Sequence, residues 1–140
     1  MTKKINCILL VDNDHDDNFF SEWIIKKGDF ANIIIAKESG KEALAYLRQE
    51  KADKIHLDLI FLDINMPGMD GWEFLKEYDK LDKKRQRSIV IILTTSNDPN
   101  EKARAKTIKT ISEFRTKPMT KEMVSEIIET HFSPKRQTNS

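Results

Sequence analysis

Apolar and polar positions along the chain alternate between two periods. Short runs rich in β-branched residues occur at 5–11, 33–36, 57–62 and 89–93, each too short for a typical helix. A weaker run at 113–116 stands directly before Lys117-Pro118. Between these lie segments with helical spacing, at 16–27, 41–50, 71–81, 99–108 and 121–132. Ser39-Gly40-Lys41-Glu42 has the form of a capping box, and Pro99 stands where a first helical turn tolerates proline. The strand runs are almost continuously apolar, the pattern of a parallel sheet covered on both faces. Five strand–helix units leave little else in 140 residues. The pattern therefore predicts an α/β domain over residues 1–132: a doubly wound, five-stranded parallel sheet with helices on both faces and right-handed crossovers. Residues 133–140 are polar, contain a proline, and are expected to form a disordered tail.

A doubly wound sheet carries its ligand site beyond the carboxyl ends of its strands. Here the first run ends in Asp12-Asn13-Asp14, the third in Asp63 and the fourth in Thr94-Thr95, while the fifth leads into Lys117-Pro118. The topology would bring these ends to one edge. They offer oxygen ligands for a hard divalent cation, a hydroxyl and an ammonium. Mg²⁺ accepts carboxylates and keeps several waters, so it suits an Asp pair. Asp63 is a candidate nucleophile, since aspartate forms aspartyl-phosphate intermediates. A metal, the Thr94 hydroxyl and Lys117 would then share the charge on a phosphoryl group. Each residue alone has a plainer role: a solvated loop or helix N-cap for Asp12 to Asp14, a strand end for Thr94, a surface lysine for Lys117. Asp63 is harder to explain plainly. It follows Leu59-Ile60-Phe61-Leu62 and precedes the Met66-Pro67-Gly68 turn, where an unpaired buried charge would be costly. The X-Pro bond at Lys117-Pro118 is a candidate for the cis form.

Composition narrows the function. Charged residues make up 34% at a net charge of +1, which gives no global attraction to nucleic acid or membrane. The run 80–87 carries five basic residues but no interleaved aromatics, and reads as solvated surface. A single cysteine, Cys7, excludes an internal disulfide and reads as an inert core thiol. No apolar run is long enough to span a bilayer, and the N-terminus lacks the features of a signal peptide, so a soluble, cytoplasmic chain is expected. His15, His56 and His131 have no metal-ligand spacing and read as surface. DNDHDD lacks the glycine and glutamate of a calcium loop.

The segments ILLVDND, DLIFLDINMPGMDGWEFL, VIILTTS and FRTKPMT, in that order, resemble the receiver domain of two-component response regulators over about residues 5–132. That family's best-known single-domain member is the chemotaxis regulator. The resemblance implies that Asp63 is the phosphoacceptor, that Lys117 and Thr94 assist it, and that Thr94 and Phe114 form the switch. It implies Mg²⁺ held by Asp12, position 13, Asp63 and the backbone carbonyl of Asn65. It further implies a histidine kinase or His-containing phosphotransfer protein as donor, slow self-catalysed hydrolysis, and no other enzymatic activity. Three departures stand out. Asn13 replaces a metal-binding acid, which Asp14 would offset by turning inward; the glycines before the fifth strand are absent from KTISEFRTKP; and no output domain follows in this sequence. The message to a downstream protein would then be read from a surface around Lys102, Lys106, Ile111, Phe114 and Arg115. Phe74 and Leu75 are expected in the core, Trp72 partly exposed as a partner contact, and Phe19, Phe20 and Trp23 packing the first helix, which the resemblance implies also meets the kinase partner. Two rivals remain open. One is a degenerate receiver that binds partners without being phosphorylated, suggested by Asn13. The other is a haloacid-dehalogenase-like phosphatase with Asp12 as nucleophile, which lacks its further acids after the lysine, since no Asp occurs beyond Asp98.

Overall fold

The computed structural model describes residues 3–49, 52, 54–83 and 88–132. Five parallel strands form one sheet: β1 (Ile5–Val11), β2 (Ala31–Lys37), β3 (Leu59–Leu62), β4 (Ile89–Thr94) and β5 (Ile111–Thr116), in the spatial order β2-β1-β3-β4-β5. The helices are α1 (His15–Gly28), α2 (Gly40–Leu47), α3 (Gly71–Tyr78), α4 (Pro99–Lys106) and α5 (Lys121–Phe132). This is the doubly wound arrangement that the pattern predicts.

Strand period sorts the core into two layers. Leu9, Val11, Ile60, Leu62, Val90 and Ile92 face α2, α3 and α4, and meet Leu44, Leu47, Phe74, Leu75 and Tyr78. Ile8, Leu10, Leu59, Phe61, Ile91 and Leu93 face α1 and α5, and meet Ile24, Ile25, Val124, Ile127 and Ile128. β1, β3 and β4 are the inner strands and are buried along nearly their whole length. β2 and β5 are the edges and only half-buried. That is why the apolar runs understate them: Asn32 and Ser112 stand exposed inside strands that the sequence started later. The β4–β5 register also slips between Val90 and Ile91, which brings Glu113 rather than Ser112 opposite Ile91.

Caps fix the helix starts. Ser39 Oγ accepts the N–H of Glu42, Asp98 Oδ1 that of Asn100, and Asp70 and Glu73 form a reciprocal capping box on α3. Two packing expectations are corrected. Trp72 is buried at 8% exposure, because the Arg104 guanidinium lies over its ring at 4.3 Å and closes the α3–α4 seam. Phe19, Phe20 and Trp23 are 66%, 41% and 49% exposed; they form the outer face of α1, while Ile24 and Ile25 turn inward. Cys7 is buried, and burial pushes its thiol up to about 11, as an inert core thiol requires. His131 is half-buried rather than at the surface, 2.7 Å from Glu113. The expected tail at 133–140, position 50 and positions 84–87, which hold three of the five basic residues of 80–87, lie outside the described residues. Among the described residues no helix is long and apolar enough to cross a membrane.

Candidate phosphoacceptor site

The sheet ladder aligns the strand ends. The Asp63 N–H donates to the Val11 carbonyl at 2.9 Å, and the Lys117 N–H to the Thr94 carbonyl at 2.8 Å. Asp12, Asp63, Thr94 and Lys117 thereby share one edge, though they come from four strands up to 105 positions apart. The Lys117–Pro118 peptide bond is cis.

The lysine ammonium is the hub. Lys117 Nζ lies 2.6 Å from Asp12 Oδ2, 2.6 Å from Asp17 Oδ2 and 3.2 Å from Asp63 Oδ2. Burial alone would lower its pKa, but the Asp12 and Asp17 hydrogen bonds and the Asp63 and Asp12 charges outweigh it and hold the ammonium above the ordinary lysine range. Asp12 moves up because burial is the largest influence on it, opposed by Lys117 and by the Asp14 N–H. Thr94 is fully buried, and its hydroxyl accepts the Ser96 N–H at 3.4 Å. Asp63 Oδ1 accepts the Asn65 N–H at 3.2 Å.

Position by position, Asp12, Asp63 and Lys117 come together, and Thr94 stands beside them at the end of β4. Asn13 and Asn65 are exposed at the rim. Asp14 does not turn inward: its carboxylate caps α1 by accepting the Asp16 and Asp17 N–H groups at 2.9 and 3.1 Å. Phe114 is half-buried, packed against the α2–α4 layer, two residues before Thr116, which pairs with Thr94. Two contributors escaped the sequence reading. Asp17 reaches Lys117 from the first turn of α1. Asn18 is buried and ties α1 to the ends of β1 and β2, donating to the carbonyls of Asp12 (2.9 Å) and Lys37 (3.2 Å). The signal for Asp17 was helical: it lies three residues beyond the N-cap, on the side of α1 that Ser21 also buries.

Among the described residues no group of three or more His, Cys, Asp or Glu side chains is arranged to enclose an ion. Two buried carboxylates at an open rim instead suit a cation that keeps several waters, which is the habit of Mg²⁺. Such an edge can hold a divalent cation beside a nucleophilic oxygen and offer an ammonium and a hydroxyl to a phosphoryl group.

The family model of the response regulator receiver domain matches residues 8–129. The chain belongs to that family. Among relatives, Response regulator Rcp1 of Synechocystis is 32% identical over 96 residues, which cover 67% of this receiver and 65% of that protein. Protein PilH of Pseudomonas aeruginosa is 27% identical over 121 residues, covering 86% and 93%. Histidine kinase CKI1 of Arabidopsis thaliana is 33% identical over 106 residues, a match that spans 67% of this chain and only 9% of the kinase. The solved two-component response regulator from Cytophaga hutchinsonii superposes with a TM-score of 0.84 at 29% identity, covering 91% and 97% of the two chains. CheY4 of Vibrio cholerae, at 24% identity, 91% and 99% coverage and a TM-score of 0.73, shares the fold. The chain is thus a CheY-like receiver of two-component signalling.

Proposed function

We propose that this receiver accepts a phosphoryl group on Asp63 from a phosphohistidine of a histidine kinase or His-containing phosphotransfer protein. An Asp63 carboxylate oxygen attacks phosphorus, the P–O bond forms as the P–N bond breaks, and the imidazole leaves with the electron pair and takes up a proton. The observation that carries the reading is the Lys117 ammonium 3.2 Å from Asp63 Oδ2 inside a buried strand-end cluster. There it can pair with a phosphoryl oxygen as charge develops. The Thr94 hydroxyl is the second donor, and its movement with Phe114 is the switch that presents the message on the β5 side. Water later returns Asp63 to its free form, so the chain is a signalling regulator with self-catalysed transfer and release, acting in the cytoplasm. Asp12, Asp63, the Asn65 carbonyl and Asn13 would hold Mg²⁺, which when bound neutralises charge between carboxylates and phosphoryl oxygens.

The test is incubation with a small phosphodonor and Mg²⁺, followed by a search for an acid-stable, base-labile mass gain of one phosphoryl group on Asp63. No incorporation from any donor would leave the degenerate receiver, the reading that Asn13 favours.

Two further expectations arise from the same edge. Asn13→Asp returns a carboxylate to the rim. Even outer-shell partners change metal affinity by roughly 10–100-fold, so Mg²⁺ binding should tighten by about tenfold or more, read by calorimetric titration. An unchanged affinity would mean that position 13 does not face the cation. The exposed aromatic face of α1 is the proposed donor surface. Phe20 stacks on Trp23 at 6.1 Å and borders the groove that Lys117 also lines. Trp23→Ala should slow phosphorylation by a donor protein on the order of tenfold, as expected when a central aromatic contact is truncated, and leave a small phosphodonor's rate unchanged. Equal slowing with both donors would remove α1 from the docking role.

A further inference from the structure

Lys117 has three N–H donors and three carboxylate partners, and one of the three belongs to neither the strand ends nor any motif in the sequence. Asp17 stands in the first turn of α1, 100 positions away, yet its Oδ2 is as close to the ammonium, 2.6 Å, as Asp12. The environments differ. The Asp12 and Asp63 side chains are 10% and 9% exposed, whereas Asp17 is 42% exposed at the mouth of the site.

We propose that Asp17 is a positioning residue for Lys117: its carboxylate draws the ammonium toward the mouth and leaves Asp12 and Asp63 able to take a divalent cation. The inference rests on the reading of those two residues as cation ligands. Charge balance supports it. Three carboxylates match one ammonium plus one divalent cation, whereas two would leave an excess positive charge in a largely buried place. Asn13 leaves the rim one carboxylate short, and Asp17 supplies a third from another element. There is also room for the shift. A groove of about 270 Å³ lined by Asp17, Phe20, Ser21, Thr95, Lys117 and Met119 opens beside the ammonium. Without Asp17, the partners left within 3.2 Å of Lys117 Nζ among those described here are the buried Asp12 and Asp63, the two oxygens that a cation must win.

The test is a double-mutant cycle read by calorimetric titration of MgCl₂ into the intact chain. Asp17→Asn should weaken Mg²⁺ binding by about tenfold, within the span of outer-shell effects, and Asp17→Glu should restore it to near the parent value. In a Lys117→Gln background, Asp17→Asn should have a much smaller effect. An equal loss in both backgrounds would overturn the proposal by making Asp17 act on the cation directly. An unchanged affinity with a lowered melting temperature would overturn it as well, leaving Asp17 only the favourable place of an acid in a helix first turn. If Lys117→Gln does not fold, the Asp17→Glu arm decides: restored binding supports the proposal, and binding as weak as Asp17→Asn overturns it. Labelling of Asp63 by a small phosphodonor separates the two readings. Labelled parent protein with a flat cycle sinks the Asp17 role alone, and an unlabelled parent with the expected cycle sinks the phosphoacceptor alone.

Discussion

Asp63→Asn should abolish phosphoryl incorporation altogether, while Asp12→Asn should slow it and still deliver the label to Asp63. The difference is chemical. An amide oxygen is not a competent nucleophile, so at position 63 the substitution removes the reacting atom itself. At position 12 it removes a charge next to the reacting atom, a change of the kind that costs roughly 10²–10³-fold in rate. Neither substitution should unfold the chain. Asn has nearly the volume of Asp, position 63 keeps its N–H bond to Val11, and the site gains no unpaired cation, because Lys117 keeps Asp12 and Asp17 in the first variant and Asp17 and Asp63 in the second. Mass spectrometry of the intact chain and its peptides after incubation with a small phosphodonor and Mg²⁺ reads both variants. The reverse pattern, with label lost at Asp12→Asn and kept at Asp63→Asn, would assign the nucleophile to Asp12. That is the arrangement of the haloacid-dehalogenase phosphatases.

The sequence made this site legible because of where the sheet puts its chemistry. Apolar runs mark inner strands, and the polar residue that ends each run is carried to the carboxyl edge whatever its distance along the chain. Asp12, Asp63 and Thr94 are found that way, and Lys117 follows from the proline behind it. The same logic fails for helices and edges. Asp17 enters the site from α1, where a helical residue one turn past an acidic cap is indistinguishable from the other acids of DNDHDD until the crossing to β5 is known. The ends of β2 and β5 are hidden because an edge strand needs no second apolar partner. Trp72 and Trp23 exchange their expected environments for a tertiary reason: Arg104 covers the first, and nothing in the spacing of α1 says that its aromatic face has no covering layer.

One short stretch joins fold stability to the proposed acceptor, and Gly71→Ala tests the connection. Gly71 is the first residue of α3, directly behind the Asp70 cap, and its N–H donates to the Ile64 carbonyl at 3.0 Å. A Cβ built there would lie 2.6 Å from Ile64 Cα and 2.8 Å from the Asp63 carbonyl oxygen, both backbone atoms that no side-chain rotation can clear. The helix start is thus pressed against the backbone of Asp63, the proposed phosphoacceptor, and of Ile64, and only glycine permits the approach. Relief requires α3 or the end of β3 to move, in a layer where Phe74 and Tyr78 are fully buried. Overpacking of this kind costs about 1–3 kcal/mol, and the backbone contact puts Gly71→Ala toward the upper end. Gly68 provides the control. It adopts φ +76° with no atom within 4 Å of its would-be Cβ, so Gly68→Ala meets a backbone penalty alone, roughly 1–2 kcal/mol. Urea unfolding should therefore show the larger midpoint shift for Gly71→Ala with an unchanged slope. Only this variant should also slow labelling of Asp63, because its strain falls on the Asp63–Ile64 backbone. Equal losses of stability and equal labelling rates for the two variants would mean that the α3 start does not hold the acceptor in place.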